Sequence, residues 1–120
     1  MKIAITSTGR DLDSEVDPRF GRAAYILIVD TDHSDEVEVL DNSENINAFK
    51  GAGIQAAAMV SKKGAEVLLT GYCGPNAYKT LQAAGVKVVN DVAGKVKDAV
   101  DALIAGNLTF ADSANVEAHW

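Results

Sequence analysis

The stretch Lys2-Ile3-Ala4-Ile5-Thr6-Ser7, taken with the two apolar runs behind it, decides the fold. It is short, rich in β-branched residues and apolar at alternate positions, which is the pattern of a strand. Thr8–Arg22 then has no helical period and contains Gly9, Pro18 and Gly21, so it reads as a loop. A loop of that length in a small chain is either functional or disordered. Ala24–Asp30 is a continuous apolar run, as in a strand covered on both faces. Thr31–Asp35 is a polar turn, Glu36–Leu40 alternates like a half-exposed strand, and Asp41–Lys50 is polar loop. With no helix between these three strands, an antiparallel meander is the simplest arrangement.

Downstream the pattern changes to alternating helix and strand. Gly51–Lys63 is alanine-rich and ends at Gly64, Glu66–Thr70 is a buried strand, and Pro75–Ala84 starts on proline and stops at Gly85. Val86–Val89 is the last strand, and Lys95–Ala105 places Val96, Val100, Leu103 and Ile104 at helical spacing before Gly106. Helices between strands require crossovers and parallel pairing. The solution is an α/β fold with a five-stranded mixed sheet in order 3-2-1-4-5, strand two antiparallel, and helices on both faces. That is the ribonuclease-H-like arrangement. Residues 1–120 read as one domain; its tail Asn107–Trp120 has no clear period that would decide its order, and a frayed end at His119 and Trp120 is the default.

Composition narrows the function. A net charge of −6 argues against a general nucleic-acid binder, which would carry a basic face. No apolar run approaches the roughly 20 residues needed to cross a bilayer. The first residues turn polar at Thr6, too soon for a signal-peptide core, and Cys73 is a lone cysteine, so the expectation is a cytoplasmic protein. Distribution of charge says more than its sum. All three arginines, Arg10, Arg19 and Arg22, fall in the loop after the first strand, whereas the lysines are scattered. Arginine presents a planar fork of donors suited to anions. The competing reading is that Asp11, Asp13, Glu15 and Asp17 neutralise them in surface pairs.

Open α/β sheets bind ligands beyond the carboxyl ends of their strands, where the chain order switches direction. Here the switch falls between strands one and four. It brings Thr8–Arg22, Gly71-Tyr72-Cys73-Gly74-Pro75, Gly51-Ala52-Gly53 and Asn90–Gly94 to one end of the sheet. Two of these loops feed helix N-termini, which carry partial positive charge and bind anions. Their glycines could equally serve tight turns and close helix packing. Cys73 stands just before a helix, where a thiolate could ligate soft metal, or it is a small apolar residue in a buried turn. His33 reads as a surface histidine in a solvated turn, and His119 and Trp120 end the chain. No serine–histidine–carboxylate constellation is present, and Lys2–Ser7 offers none of the metal-binding carboxylates of a ribonuclease-H-type nuclease.

Val16-Asp17-Pro18-Arg19-Phe20-Gly21-Arg22-Ala23, Gly51-Ala52-Gly53-Ile54-Gln55 and Cys73-Gly74-Pro75-Asn76-Ala77 carry a resemblance. With Met1–Ser7, Thr70-Gly71, Gly85-Val86-Lys87-Val88 and Gly106-Asn107-Leu108 in the same order, the chain resembles the dinitrogenase iron–molybdenum cofactor biosynthesis family. The resemblance implies a non-catalytic carrier or assembly domain for metal–sulfur clusters. For small stand-alone members it implies a molybdenum–copper sulfide cluster held without covalent ligands, with the iron–molybdenum cofactor or its precursor as the alternative guest. Arg10, Arg19 and Arg22 would neutralise the cluster, and backbone N–H groups near Gly53 and Gly74 would donate to its sulfides. Phe20, Ile54 and Tyr72 would exclude water. Ser7, Thr8, Gly21, Gly51, Gly71, Cys73 and Asn76 complete the expected site. The partners expected are the anionic cluster itself and proteins of cluster assembly or delivery, with no nucleic acid and no membrane, and the chain acting as a monomer. A cofactor-free interaction module, pairing through the edge strand Glu36–Leu40, is a second expectation. An enzyme acting on a small phosphorylated or sulfur-bearing anion is the third.

Overall fold

A computed structural model describes residues 1–46 and 51–115. The elements run β1 (Lys2–Ser7), β2 (Tyr25–Asp30), β3 (His33–Asp41), α1 (Ser43–Ile46), α2 (Ala52–Lys62), β4 (Val67–Leu69), α3 (Pro75–Ala83), β5 (Lys87–Val89) and α4 (Val96–Ile104). The sheet order is β3-β2-β1-β4-β5. β2 is antiparallel to both β1 and β3, while β1–β4 and β4–β5 are parallel, as the sequence predicts.

Strand alternation sorts the buried side chains onto two faces. Ala4, Ile26, Ile28, Leu68 and Val88 pack beneath α2 and α3, against Ala56, Ala57, Val60, Ala77 and Leu81. Ile3, Ile5, Leu27, Val29 and Leu69 face the other way, against Val96, Ala99 and Val100 of α4. The α2–α3 layer is built of small residues, so those two helices lie close to the sheet and to each other.

Two expectations need correction. Asp41–Lys50 is not all loop. The Asp41 Oδ1 accepts the Ser43 amide at 2.8 Å and starts the short helix α1, which is too brief for any period to register in sequence. The turn before β3 is tighter than Thr31–Asp35. Asp30 Oδ1 takes the Asp32 amide at 3.0 Å, and His33 already pairs with Asp30, so His33 is exposed but lies in the strand. The order of the tail, which the sequence leaves open, is visible as far as Asn115. Ala111 and Ala114 pack on the α2–α3 core, and the Ala111 amide donates to the Val88 carbonyl at 2.7 Å. His119 and Trp120 lie outside the described residues.

Candidate anion site at the carboxyl end of the sheet

The loop after β1 is held from within by buried polar groups. Asp17 is buried, and its carboxylate accepts the Arg19 amide (3.1 Å) and the Ala24 amide (3.3 Å). Its own amide donates to the Thr6 carbonyl at 3.0 Å, and its carbonyl accepts the Thr6 hydroxyl at 2.7 Å. Asn42, also buried, donates its side-chain amide to the carbonyls of Gly21 (3.1 Å) and Ala23 (2.9 Å). Asn45 in turn donates to Asn42 Oδ1 at 2.6 Å. Phe20 anchors the loop in the α2–α3 core with 2% of its surface exposed. Charged and neutral hydrogen bonds of this kind fix a loop because the buried groups have no water to turn to.

The loops that topology predicted to meet do so at close range. The Tyr72 amide donates to the Pro18 carbonyl at 2.6 Å, and the Phe20 amide donates to the Tyr72 carbonyl at 3.1 Å, bridging Arg19 to Tyr72. A Cβ on Gly71 would lie 2.7 Å from the Pro18 backbone, and one on Gly53 would lie 3.0 Å from the Ala77 Cβ. The glycines therefore serve close packing, as the competing sequence reading had it. Their effect is to draw Pro18–Arg22 against the starts of α2 and α3.

Those two starts are electrostatically open. Neither helix has a side-chain cap or an acidic residue in its first turn. α4 differs, because its Val96 and Lys97 amides are taken by the carbonyls of Ser14 and Leu12, both at 2.9 Å. Uncapped first-turn amides attract anions through partial positive charge and free donors. Arg19 stands over this ground with its side chain half exposed, touching Asp17 only loosely at 3.9 Å. Arg22 follows it by three residues, half-buried, beside Gly21.

The family model for the dinitrogenase iron–molybdenum cofactor matches residues 1–106. The chain belongs to that family. The orange protein from Desulfovibrio gigas, solved in its apo form, is 46% identical, with a TM-score of 0.92 over 96% of each chain. A Thermotoga protein provisionally assigned as NifB is 40% identical, with a TM-score of 0.82 over 97% of each chain. Among curated proteins no sequence matches. These relationships place the chain among small cofactor-related proteins.

Measured against the family-derived site, the structure gathers some residues and separates others. Arg19, Gly21, Gly53, Gly71 and Tyr72 converge. Ile54 and Tyr72 are exposed apolar side chains at that end, as a water-excluding wall requires. Gly74 begins α3 in extended conformation, Gly51 precedes α2 with a φ of 81°, and Asn76 is exposed in the first turn of α3. Arg10 is set apart. Its guanidinium stacks on Tyr25, 4.9 Å from the ring centroid, and Tyr25 belongs to the α4 face of the sheet. There it faces Asp41, whose carboxyl is held below its usual range first by the Ser43 amide, then by the Ser43 side chain, with Arg10 adding attraction. Ser7 turns inward to Gly9, exchanging hydrogen bonds of 2.8 and 3.2 Å, and Thr8 is tied to the Glu15 carbonyl on the same side as Arg10.

Cys73 and Phe20 are not surface groups. Cys73 is fully buried in the α2–α3 core, and burial pushes its thiol up to about 12. A protonated, enclosed thiol is a small apolar residue and not a ready ligand. Among the described residues no three His, Cys, Asp or Glu side chains converge as a metal site would require. The pairing of the arginines with Asp11, Asp13, Glu15 and Asp17 holds in part: Asp17 pairs with Arg19 at 3.9 Å while bracing the loop from within, whereas Asp13 pairs with Lys97 at 3.5 Å.

Sequence reasoning missed Asp17, Asn42 and Asn45 as builders of the site. The available signal was position: Asp17 precedes Pro18 inside a glycine-containing loop, a setting where a short carboxylate caps its own neighbours' amides. Asn42 carried no signal, since its partners Gly21 and Ala23 lie some twenty residues away, and Asn45 reaches the site only through Asn42.

Proposed function

We propose that this protein is a non-catalytic holder of an anionic, molybdenum-containing metal–sulfide cluster, captured by charge and hydrogen bonding at the carboxyl end of its sheet. One observation carries the reading. Arg19 lies half exposed on a loop locked against two helix starts that have neither side-chain caps nor acidic residues in their first turns, and Arg22 follows it by three residues on the same loop. The donor set suits such a guest, because a cluster with sulfide edges offers negative charge and acceptors but needs no protein ligand. Arg19 and Arg22 supply the cations, the first-turn amides of α2 and α3 supply donors, and Ile54 and Tyr72 supply an apolar border. The family membership and the likeness to the orange protein support a cofactor as the guest. A molybdenum–copper sulfide cluster is the first choice of cargo, and an iron–molybdenum cofactor precursor the second.

The test mixes apo-protein with tetrathiomolybdate and a copper salt, followed by gel filtration. A visible chromophore should travel with the protein, and an Arg19→Ala/Arg22→Ala double variant should retain at least tenfold less. An undiminished chromophore on the double variant overturns the reading.

A further inference from the structure

The segment from Asn107 to Asn115 reaches a residue, Asn115, that makes three hydrogen bonds to the site loop. Asn115 Oδ1 accepts the Cys73 amide at 2.8 Å, and its Nδ2 donates to the Gly71 carbonyl at 3.0 Å. The Asn115 backbone amide adds a bond to the Cys73 carbonyl at 3.2 Å. One side chain thus presents a donor and an acceptor to the outer edge of Gly71–Cys73, as a neighbouring strand would. The inner edge of the same stretch is paired through Tyr72 with Pro18 and Phe20. Gly71–Cys73 is therefore a short extended segment held on both sides, by the arginine loop and by the tail.

The rest of the segment is fastened at Ala111 and at Ser113, whose carbonyl accepts the Asn90 side-chain amide at 3.3 Å. Ala111 donates to Val88 on the open side of β5, and its carbonyl accepts the Tyr78 hydroxyl at 2.9 Å. Phe110 is exposed over Lys87, and a cleft of about 380 Å³ opens between the segment and Asn90–Asp91. Asn115 also reaches the Asp91 carboxylate at 3.3 Å, and Asp91 sits at a φ of 63°, a conformation that costs a non-glycine residue energy. No residue from Asn107 to Asn115 is buried, and its bonds to the strands and loops come from Ala111, Ser113 and Asn115, so such a segment opens locally without global unfolding.

We infer that Asn107–Asn115 is a strap, and that Asn115 is a positioning residue that holds the Gly71–Cys73 loop, and through it Tyr72, in register with Pro18–Phe20. The strap also closes the core over Cys73, since Ala114 and Ala111 pack on the cluster of side chains that contains the thiol. Opening it would loosen Tyr72 and uncover Cys73 together.

The experiment uses the full apo chain with Asn115→Ala, and needs no cluster, so it decides the strap independently of the cluster reading. Amide hydrogen exchange is read at Tyr72, whose acceptor, the Pro18 carbonyl, the substitution leaves in place. Alkylation of Cys73 is read in parallel at low and moderate urea. A local strap predicts about tenfold faster exchange at Tyr72 and about tenfold faster alkylation, both nearly independent of urea. If Tyr72 exchange is unchanged, or if both rates rise only in step with global unfolding, Asn115 is ordinary packing and the strap is overturned.

Discussion

Gly21 lies so close to the first turn of α2 that a Cβ on it would stand 2.7 Å from the Gly53 nitrogen and 2.8 Å from the Gly53 Cα. Two backbones meet there with nothing between them. The contact joins the arginine loop to a helix start more than thirty residues away, and it fixes where Arg22 leaves the loop. Gly21 is not among the glycines with positive φ, so its role is steric and not conformational.

Gly21→Ala should therefore cost about 1–3 kcal/mol, because backbone and not a flexible side chain must yield. Gly85→Ala makes the informative comparison. Its Cβ would meet nothing within 4 Å, so only its φ of 80° is at stake and the loss should be about 1–2 kcal/mol. Urea melts of both variants measure stability, and the Gly21 variant should in addition hold thiomolybdate–copper less tightly. Wild-type stability in Gly21→Ala would mean that the loop and α2 can separate freely.

The topology was legible because three apolar runs occur with no helix between them and the later runs alternate with glycine-terminated helices. That order, with parallel crossovers, also showed which loops must meet. What stayed hidden was the direction of side chains inside the arginine loop. A strand or helix has a period that assigns faces, and a loop has none. Val16 packs on the α4 side and Phe20 on the α2–α3 side, so the loop crosses the end of the sheet between them. Arg10 precedes that crossing, and Arg19 stands at its far end beside Phe20. The order of the tail was not legible for a related reason: its hold depends on hydrogen bonds from Ala111, Ser113 and Asn115, which leave no pattern in composition.

Alkaline stability should report the burial of Cys73. Its thiol is raised from the ordinary range to about 12 by desolvation of the charged form. Above the unfolded thiol's pKa the unfolded chain loses this proton while the folded chain keeps it. By linkage, stability is fully present below that pKa and falls as pH rises toward 12, with a slope of up to about 1.4 kcal/mol per pH unit. Cys73→Ala should remove this part of the alkaline decline while costing some stability at neutral pH through the lost sulfur. Urea melts of both proteins across the alkaline range give the difference. Parallel curves would show that the thiol titrates as freely in the folded protein as in the unfolded one.

The separation of Arg10 from the other arginines gives the sharpest test of the site. If all three arginines shared one guest, removing any of them would weaken capture alike. In the structure Arg10 lies over Tyr25 and beside Asp41 on the α4 face, whereas Arg19 is bridged to Tyr72 at the starts of α2 and α3. Arg19→Ala should cut retention of the thiomolybdate–copper chromophore about tenfold, in keeping with the loss of one charge-assisted contact. Arg10→Ala should change it less than about twofold, a residual long-range effect that disappears at high salt. Arg10→Ala has its own signature, a rise in the Asp41 carboxyl pKa followed by NMR, since the guanidinium helps to hold that group down. Equal losses of chromophore in the two variants would place the guest across the end of the sheet and not on its α2–α3 side.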